Sequence, residues 1–234
     1  MDMLVYALLQ GLLEWLPVSS SGVLVLLGMS VSGALGVHLA TGLAGLVYSV
    51  RWRGRLARLW LWWGIVPLLV GAPVALVLDN LVEGLPAPTL HRLVVALYTV
   101  TILALLARLA ARSGGGGSGS RLDPVVAGIL QGVAVLPGVS RSGLVSAYLL
   151  LRGYEPGLVV EAVVASGAFA GLAAGAYEAV RRGFRPEPLA LLATFLAAIA
   201  SAYLLDLVGE KGRVALTVLV LAGLLAGLAA GLLA

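Results

Sequence analysis

The sequence contains no cysteine, which excludes disulfide bonds, thiolate metal sites and a cysteine nucleophile. It has two histidines, too few for a metal cage built from imidazoles. Charged side chains are also scarce, at 11% of the 234 residues, whereas a soluble domain carries roughly 25%. So few charges cannot cover a surface that faces water, and the composition therefore argues against a soluble domain.

Apolar residues, in contrast, make up 61% of the chain, and its mean hydropathy is +1.06. Every backbone polar group in lipid must be paired within its own segment, and the apolar runs are too long for barrel strands, so an all-α membrane protein is predicted. All basic residues except Lys211 are arginines, and they cluster between the apolar runs. This is typical of cytoplasmic loops and not of a nucleic-acid surface, so the predicted partner is the membrane and not nucleic acid.

Six apolar stretches are long enough to cross a membrane, since about 17–25 residues span the hydrocarbon core. Two further stretches, 3–31 and 124–152, are each interrupted by a polar loop, PVSSSG at 17–22 and PGVSRSG at 137–143. Their halves are too short to cross alone, so each stretch is predicted to be a re-entrant helical hairpin beside a cavity. The six spans are placed near 33–50, 59–79, 90–110, 157–180, 187–206 and 213–233.

The chain contains an internal repeat. A shift of 121 residues aligns 9–22 with 130–143, and seven of these fourteen positions are identical, including Gln-Gly and Ser-x-Ser-Gly in register. A Gly/Ser linker at 113–120 separates repeat one, 1–112, from repeat two, 121–234, within one integrated membrane domain. Because three spans separate the two hairpins, the repeats are predicted to be inverted in topology.

The basic residues predict the orientation. With the N-terminus outside, ten Lys and Arg residues fall on the inside and four on the outside, which agrees with the positive-inside rule. The outside set includes three arginines of the RRGFR segment at 181–185, which opposes the trend. We therefore expect a multi-pass plasma-membrane protein with its N-terminus outside.

Arg141 is the strongest single indication of chemistry, because a guanidinium at membrane depth costs at least about 2.5–3.5 kcal/mol. It requires a partner or a watery cavity. One interpretation is structural: Arg141 pairs with Glu14 and fastens the two hairpins together. The other is that it binds an oxyanion, since its planar fork matches phosphate. The two interpretations are compatible.

The serines and glycines of the two loops are candidate substrate-binding groups. Each loop precedes a helix start, where unpaired N–H groups and the helix dipole favour phosphate. Taken singly, a serine at such a position is more often a helix N-cap than a nucleophile. The candidates are Ser19, Ser20, Ser21 and Gly22 in the first loop, Gly138, Ser140, Ser142 and Gly143 in the second, and Gln131 upstream.

Glu14 lies one helical turn after Gln10, on the same face of the predicted helix. Three roles are open for its carboxylate: it could pair with Arg141, bind a divalent cation together with Gln10, or act as a general acid or base. His38 lies in an apolar run, where a lone histidine is more often a hydrogen-bonding group between helices than a catalyst.

These motifs resemble those of the undecaprenyl-diphosphatase, or bacitracin-resistance, family over nearly the whole chain. QGLLEWLPVSSSG is similar to the family's (E/Q)GxxExLPVSSxGH motif, and QGVAVLPGVSRSG to its QxxAxxPGxSRSG motif. The weaker segment VHLATGLAGLVYSVRWR is similar to the family's LHLGTLxAVxxYFRRD. The pair of serine loops is specific, whereas either alone would be weak.

The resemblance implies hydrolysis of a polyprenyl diphosphate to the monophosphate, in order to recycle the lipid carrier of cell-wall glycan synthesis. It also implies a site that opens outward and a requirement for Mg²⁺ or Ca²⁺, with Glu14 and Gln10 as the candidate ligands. The resemblance implies that Arg141 binds the diphosphate, that Ser20 occupies the position of the nucleophile, and that Glu14 is the second acid of the ExxxE motif. A homodimer is possible.

The chain departs from the family pattern at three positions. Gln10 replaces the first acid, Val23 the histidine that follows SSxG, and Val145 a threonine. A serine that attacks phosphorus needs a base; Glu14 or His38 could supply it, or a metal-bound water could attack instead. The rival functions are a polyprenyl-phosphate flippase or transporter and a catalytically weak lipid-phosphate-binding homologue.

Overall fold

The protein is all-α throughout the part of the chain that the computed structural model describes, which comprises residues 3–20, 23–24, 37–82, 86–110, 119–136, 139–183 and 187–233. Two helices near the start are α1, Met3–Leu13, and α2, His38–Ser49. A 3₁₀ segment, Val50–Arg55, follows, and then come α3, Leu56–Leu59, a π-helical segment, Trp60–Ile65, and α4, Val66–Val82. The later helices are α5, Ala87–Ala110, α6, Asp123–Val133, α7, Arg141–Leu151, α8, Pro156–Arg182, α9, Pro188–Glu210, and α10, Arg213–Leu233.

Three helical stretches are long and apolar enough to cross a membrane: His38–Leu81, Pro156–Arg181 and Pro188–Glu210. Several shorter apolar helices accompany them. Large apolar side chains are exposed on the outward faces of the helices, as expected where lipid replaces water; they include Leu69, Leu103, Val180, Leu189 and Val214. The prediction of an all-α membrane protein is confirmed, while the count of six spans and two re-entrant hairpins stays a prediction.

The connection between the first two predicted spans differs from the expectation. A separate loop was expected near 51–58, but the chain stays helical there through a 3₁₀ segment with one non-helical residue, Trp52 (φ −92°, ψ 38°). The 3₁₀ and π-helical segments satisfy backbone groups within the chain, so an arginine-rich connection can remain helical. The helical stretch His38–Leu81 has 44 residues, about twice the length that crosses a bilayer, and Trp52 interrupts it in its first half.

Helices α6 and α7 have the lengths expected for half-segments. Each contains 11 residues, or about 16 Å of helix, which is half of the hydrocarbon thickness. Asp123, which is buried, fastens their ends: its carboxylate accepts hydrogen bonds from the hydroxyls of Tyr148 and Tyr154, both at 2.6 Å, and from Arg152 Nε at 3.0 Å. This contact fixes the start of α6 against the end of α7.

Helix α1 packs along α9 through backbone carbonyls. Thr194 Oγ1 donates to the Ala7 carbonyl at 3.0 Å, Ser201 Oγ donates to the Leu12 carbonyl at 2.7 Å, and Trp15 Nε1 donates to the Ala198 carbonyl at 2.9 Å. Hydrogen bonds between helices, with small residues that allow close approach, are the usual means of association in lipid. They hold the end of α1 in a fixed position, and with it Glu14 in the turn that follows.

Candidate active site

A polar cluster forms where the end of α1 meets the start of α7. Glu14 lies in the turn after α1, and Arg141 is the first residue of α7. Arg141 Nη2 donates to Glu14 Oε1 at 2.7 Å, and the two side chains are 16% and 2% exposed. The predicted pairing of Arg141 with Glu14 is therefore observed. This charged pair joins residues that are 127 positions apart, in the two halves of the chain.

The guanidinium of Arg141 has a second support on α8. Its Nη1 donates to the carbonyl of Gly167 at 3.1 Å, and its Cζ lies 5.8 Å from the centre of the Trp15 ring. Gly167 is the twelfth of the 27 residues of α8, which places the cluster roughly 17 Å from that helix's start, near its middle. A guanidinium has five N–H groups, and the contacts among the described residues use two of them.

The other oxygen of Glu14 faces α1 and α2. Gln10 Nε2 donates to Glu14 Oε2 at 2.6 Å, and His38 Nδ1, on the first residue of α2, lies 3.1 Å from the same oxygen. Gln10 Nε2 also lies 3.2 Å from Ser20 Oγ and 3.2 Å from His38 Nδ1. Glu14 thus connects Arg141 on one side with a group of Gln10, His38 and Ser20 on the other.

The two serine loops begin their helices in the same way. Val23 N donates to the Ser19 carbonyl at 3.0 Å, and Leu144 N donates to the Ser140 carbonyl at 3.0 Å. These donors and acceptors are 121 positions apart, the shift that aligns the repeats. The shared geometry is what an internal repeat would produce, while the division at 112 and 121 stays a prediction.

The described hydrogen bonds of the serines in the second loop are to other groups of the protein and stabilise its fold. Ser140 Oγ accepts from Gly143 N at 3.1 Å and so caps α7. Ser142 Oγ donates to the Leu16 carbonyl at 2.6 Å and lies 3.3 Å from Ser140 Oγ. Ser140 is therefore a helix N-cap, the more common role of a serine at a helix start. Ser142 joins the second loop to the end of the first helical segment.

The remaining predicted site residues lie apart from the cluster or outside the described residues. Gln131, on α6, is buried, and its amide oxygen has no hydrogen-bond partner in the described part of the chain. No described hydrogen bond joins it to Glu14 or Arg141. Ser21, Gly22 and Gly138 lie outside the described residues.

Two contributors to the cluster, Trp15 and Gly167, were not among the predicted site residues, whereas His38 was named in the sequence analysis as a possible base or a hydrogen-bonding group between helices. A Cβ built on Gly167 would lie 2.5 Å from the Trp15 ring and 2.6 Å from Arg141 Nη2, so a glycine is needed where α8 passes the guanidinium. The sequence carries a signal for this, since Gly167, Gly171 and Gly175 recur every fourth residue, a pattern typical of close helix packing in membranes.

A divalent cation such as Mg²⁺ or Ca²⁺ prefers several oxygen ligands. The described residues include no group of three or more His, Cys, Asp or Glu side chains that could hold a metal ion. Glu14 is the cluster's one carboxylate in the described part of the chain, and both of its oxygens face hydrogen-bond donors. These residues do not by themselves fit a resident divalent cation, so the predicted site at Glu14 and Gln10 stays a prediction.

Together these features define a class: a multi-pass all-α membrane protein with a buried Arg–Glu pair between two serine loops. The family model for bacitracin resistance protein BacA matches residues 3–229, and the chain belongs to this family. The predicted family membership is therefore confirmed.

Relatives named undecaprenyl-diphosphatase include proteins of archaea and bacteria. The Haloarcula marismortui protein is 34% identical over 63% of this chain and 65% of its own length. The Pyrobaculum aerophilum protein is 37% identical over 67% of the chain and 69% of its length. The Jannaschia sp. protein is 30% identical over 83% and 84%. The Haloarcula match thus spans slightly less than two thirds of that relative's length.

Proposed function

We propose that this protein is a membrane phosphatase that hydrolyses a polyprenyl diphosphate to the monophosphate, and so recycles an isoprenoid lipid carrier. The observation that carries the proposal is the guanidinium of Arg141, which lies beside the middle of α8 and is held by Glu14 and by the Gly167 carbonyl, with three N–H groups that no contact among the described residues uses. Phosphate oxygens are the ligands that such a fork prefers. The names of the relatives support the same substrate class.

In this proposal the terminal phosphate lies against Arg141 and the first serine loop. Arg141 binds and orients the phosphate, and its charge stabilises the negative charge that develops during transfer. Ser20, whose Oγ lies 3.2 Å from Gln10 Nε2, is the proposed nucleophile. The isoprenoid tail extends between helices into lipid, where the exposed apolar faces allow it.

The finer topology belongs to the same proposal. Six spans, two re-entrant hairpins and inverted repeats would bring the two serine loops together from opposite sides of the membrane. The N-terminus is placed outside, with the site opening outward, and a homodimer stays open. We also propose that Mg²⁺ or Ca²⁺ is required, and that the cation would reach the site together with the diphosphate.

The test is phosphate release by the purified full chain. It is incubated with farnesyl and undecaprenyl diphosphates in the presence of Mg²⁺ or Ca²⁺, and the wild type is compared with Arg141→Ala. The loss of a preorganised donor costs about 10²–10³-fold in kcat. Arg58→Ala is the control, because Arg58 is exposed in α3 and lies outside the cluster. We expect release by the wild type and the control, and a loss in Arg141→Ala.

Two results would contradict the proposal in different ways. If the wild type releases no more phosphate than Arg141→Ala but still binds a polyprenyl phosphate, the protein is a lipid-phosphate-binding homologue and not a phosphatase. If headgroup translocation in liposomes then depends on Arg141, the flippase alternative is favoured. The predicted inverted repeat with interrupted helices is the reason to keep this alternative, since such repeats are common in transporters.

A further inference from the structure

The connection between α2 and α3 carries a concentration of positive charge that the proposed reaction does not use. Four arginines lie within eight residues there: Arg51, Arg53, Arg55 and Arg58. So many guanidinium groups are too costly to place in hydrocarbon, and the helical stretch His38–Leu81 is about twice the length that crosses a bilayer. This connection therefore lies at a membrane surface.

Residues 51–55 line an open concavity of about 450 Å³, which we call the arginine pocket; its lining consists of Arg51, Trp52, Arg53, Gly54 and Arg55. The backbone departs from helical geometry at Trp52 (φ −92°, ψ 38°), and a Cβ built on Gly54 would meet no atom within 4 Å. Tryptophan is a residue typical of the membrane–water interface. Three guanidinium groups thus border one open space at the level of the lipid headgroups.

Two of these arginines are held by acids on other helices. Arg51 Nη1 lies 2.6 Å from Asp206 Oδ2 on α9, and Arg51 Cζ lies 5.1 Å from the centre of the Tyr48 ring. Arg55 Nη2 pairs with Oε1 of Glu161 on α8, whose side chain is 3% exposed. Because these side chains are already fixed at the pocket, a ligand that binds there need not order them.

Arg53, between the two, has no such partner. It is exposed, and it makes no hydrogen bond or ion pair with any residue that the structure describes. The pocket has three arginines, and the acids in contact with them are Asp206 and Glu161, so one positive charge is left uncompensated. A guanidinium fork binds phosphate oxygens, and the phosphates that a membrane surface presents are those of lipid headgroups.

We propose that the arginine pocket binds the phosphate headgroup of an anionic membrane lipid, at a site separate from the candidate active site. Arg53 makes the principal contact with the phosphate, and Arg51 and Arg55 add positive charge from fixed positions. The acyl chains lie along the exposed apolar side chains that precede the pocket, Val47 and Val50. A lipid bound in this way holds the connection between α2 and α3 in the headgroup layer.

The alternative is that the four arginines attract anionic lipid diffusely, through their net charge alone. Diffuse attraction falls by a similar factor whichever charge is removed, on the order of fivefold in binding for each arginine. A site built from fixed groups depends instead on which arginine is removed, since a hydrogen bond to a charged group contributes about 10–100-fold. Arg58 separates the two cases, because it is exposed and close in sequence but is not among the residues that line the pocket.

The test is a titration of the purified full chain in detergent with phosphatidylglycerol, read by native mass spectrometry, which resolves how many lipids each protein binds. We expect one phosphatidylglycerol to bind more tightly than any further one, and more tightly than phosphatidylcholine. Arg53→Ala should weaken this first binding step about 10–100-fold, and Arg58→Ala by no more than about fivefold. Equal losses in the two variants would show diffuse attraction and overturn the proposal.

Gly54 provides a second pair of variants that leaves every arginine in place. Gly54→Glu adds a carboxylate to the pocket, and Gly54→Gln adds a side chain of the same size without the charge; the open space around the Gly54 Cβ admits either. We expect the first binding step of Gly54→Glu to be at least about tenfold weaker than that of Gly54→Gln. Equal binding by the two would contradict the proposal even if Arg53→Ala were poorly folded.

Two further measurements identify the source of the phosphate and the place where it binds. If excess inorganic phosphate displaces the first phosphatidylglycerol, the site takes a soluble phosphate and the lipid assignment is wrong. If Arg141→Ala loses the first binding step and Arg53→Ala retains it, the lipid lies in the candidate active site and the pocket is not its site. Release of phosphate from a prenyl diphosphate enters none of these measurements, so the lipid site and the proposed phosphatase function are tested separately.

Discussion

Gly167 offers a test of the site that leaves every polar group in place. It lies on α8 where that helix passes the guanidinium, and its own carbonyl accepts from Arg141 Nη1 at 3.1 Å. In Gly167→Ala the new Cβ would lie 2.5 Å from Trp15 Cζ3, 2.6 Å from Arg141 Nη2 and 2.8 Å from Arg141 Cζ. Real Cβ atoms do not approach other atoms so closely, so Arg141 or α8 must move by roughly 1 Å to reach ordinary contact.

The magnitude follows from that displacement. The Arg141–Glu14 hydrogen bond is 2.7 Å long, and an extension of about 1 Å would break it, at a cost of roughly 1.5–3 kcal/mol for a charged pair. A misplacement of about 1 Å at a catalytic group costs on the order of 10²-fold in rate. Stability should change less, because alanine is favoured over glycine in a helix by about 1 kcal/mol, which partly offsets the overpacking.

The assay is phosphate release with prenyl diphosphate, together with the thermal midpoint in detergent. Gly157→Ala is the matched control, because Gly157 lies on the same helix and nothing lies within 4 Å of a Cβ there. We expect kcat/KM of Gly167→Ala to fall about 100-fold, while Gly157→Ala stays at the wild-type value. If both variants are folded and retain kcat/KM within about threefold of the wild type, the position of Arg141 does not control activity and the reasoning is refuted.

Three further predictions concern neighbouring groups. Asp123→Asn removes the charge from a buried carboxylate that accepts from two tyrosines and an arginine; it should lower the free energy of unfolding by about 1–3 kcal/mol, whereas Asp79→Asn, at a partly exposed position, should have little effect. Gln10→Glu would place two carboxylates near the 2.6 Å now found between Gln10 and Glu14, so phosphate release should depend more steeply on free Mg²⁺; an unchanged Mg²⁺ titration would contradict a cation at this position. Trp15→Phe loses an indole N–H that donates to a carbonyl at 2.9 Å and should cost about 1 kcal/mol of stability, measured by thermal unfolding; a loss of activity without a loss of stability would instead assign Trp15 to the site.

The sequence predicted the parts of the site that follow from local rules. Arg141 lies in an apolar segment and therefore needs a partner. Few acidic residues lie within apolar segments, so Glu14 was one of a small number of candidates. The structure places the two side chains 2.7 Å apart. The serine loops were recognisable because a repeat placed Ser-x-Ser-Gly twice in register. The break in the second segment was predicted from Pro and Gly; α6 ends at Val133, before the loop at 137–143, and α7 begins at Arg141 within it.

The contacts that depend on helix packing could not be predicted. His38 reaches Glu14 only because α2 starts beside the end of α1, 24 positions away along the chain, and no periodicity specifies that neighbour. The bond from Ser142 Oγ to the Leu16 carbonyl joins residues 126 positions apart, and its acceptor is a backbone group that any residue would supply. The glycine repeat identifies Gly167 as a packing residue, but its contact with Arg141 depends on how α8 is rotated about its axis.

The charges of the cluster limit how a diphosphate can be held there. Arg141 and Glu14 cancel each other, and Gln10 is neutral where the family has an acid, so the described cluster has no surplus positive charge before His38 is counted. A terminal phosphate alone carries about 1.5–2 negative charges at neutral pH, and the second phosphate adds to that. In a low-dielectric site such a charge must be compensated. Helix N-termini supply only about half a charge each, so under the proposed function a cation bound to the diphosphate would supply the rest. An acid at position 10 would then shift part of that cation's binding to the protein, which is the difference that the Mg²⁺ titration of Gln10→Glu measures.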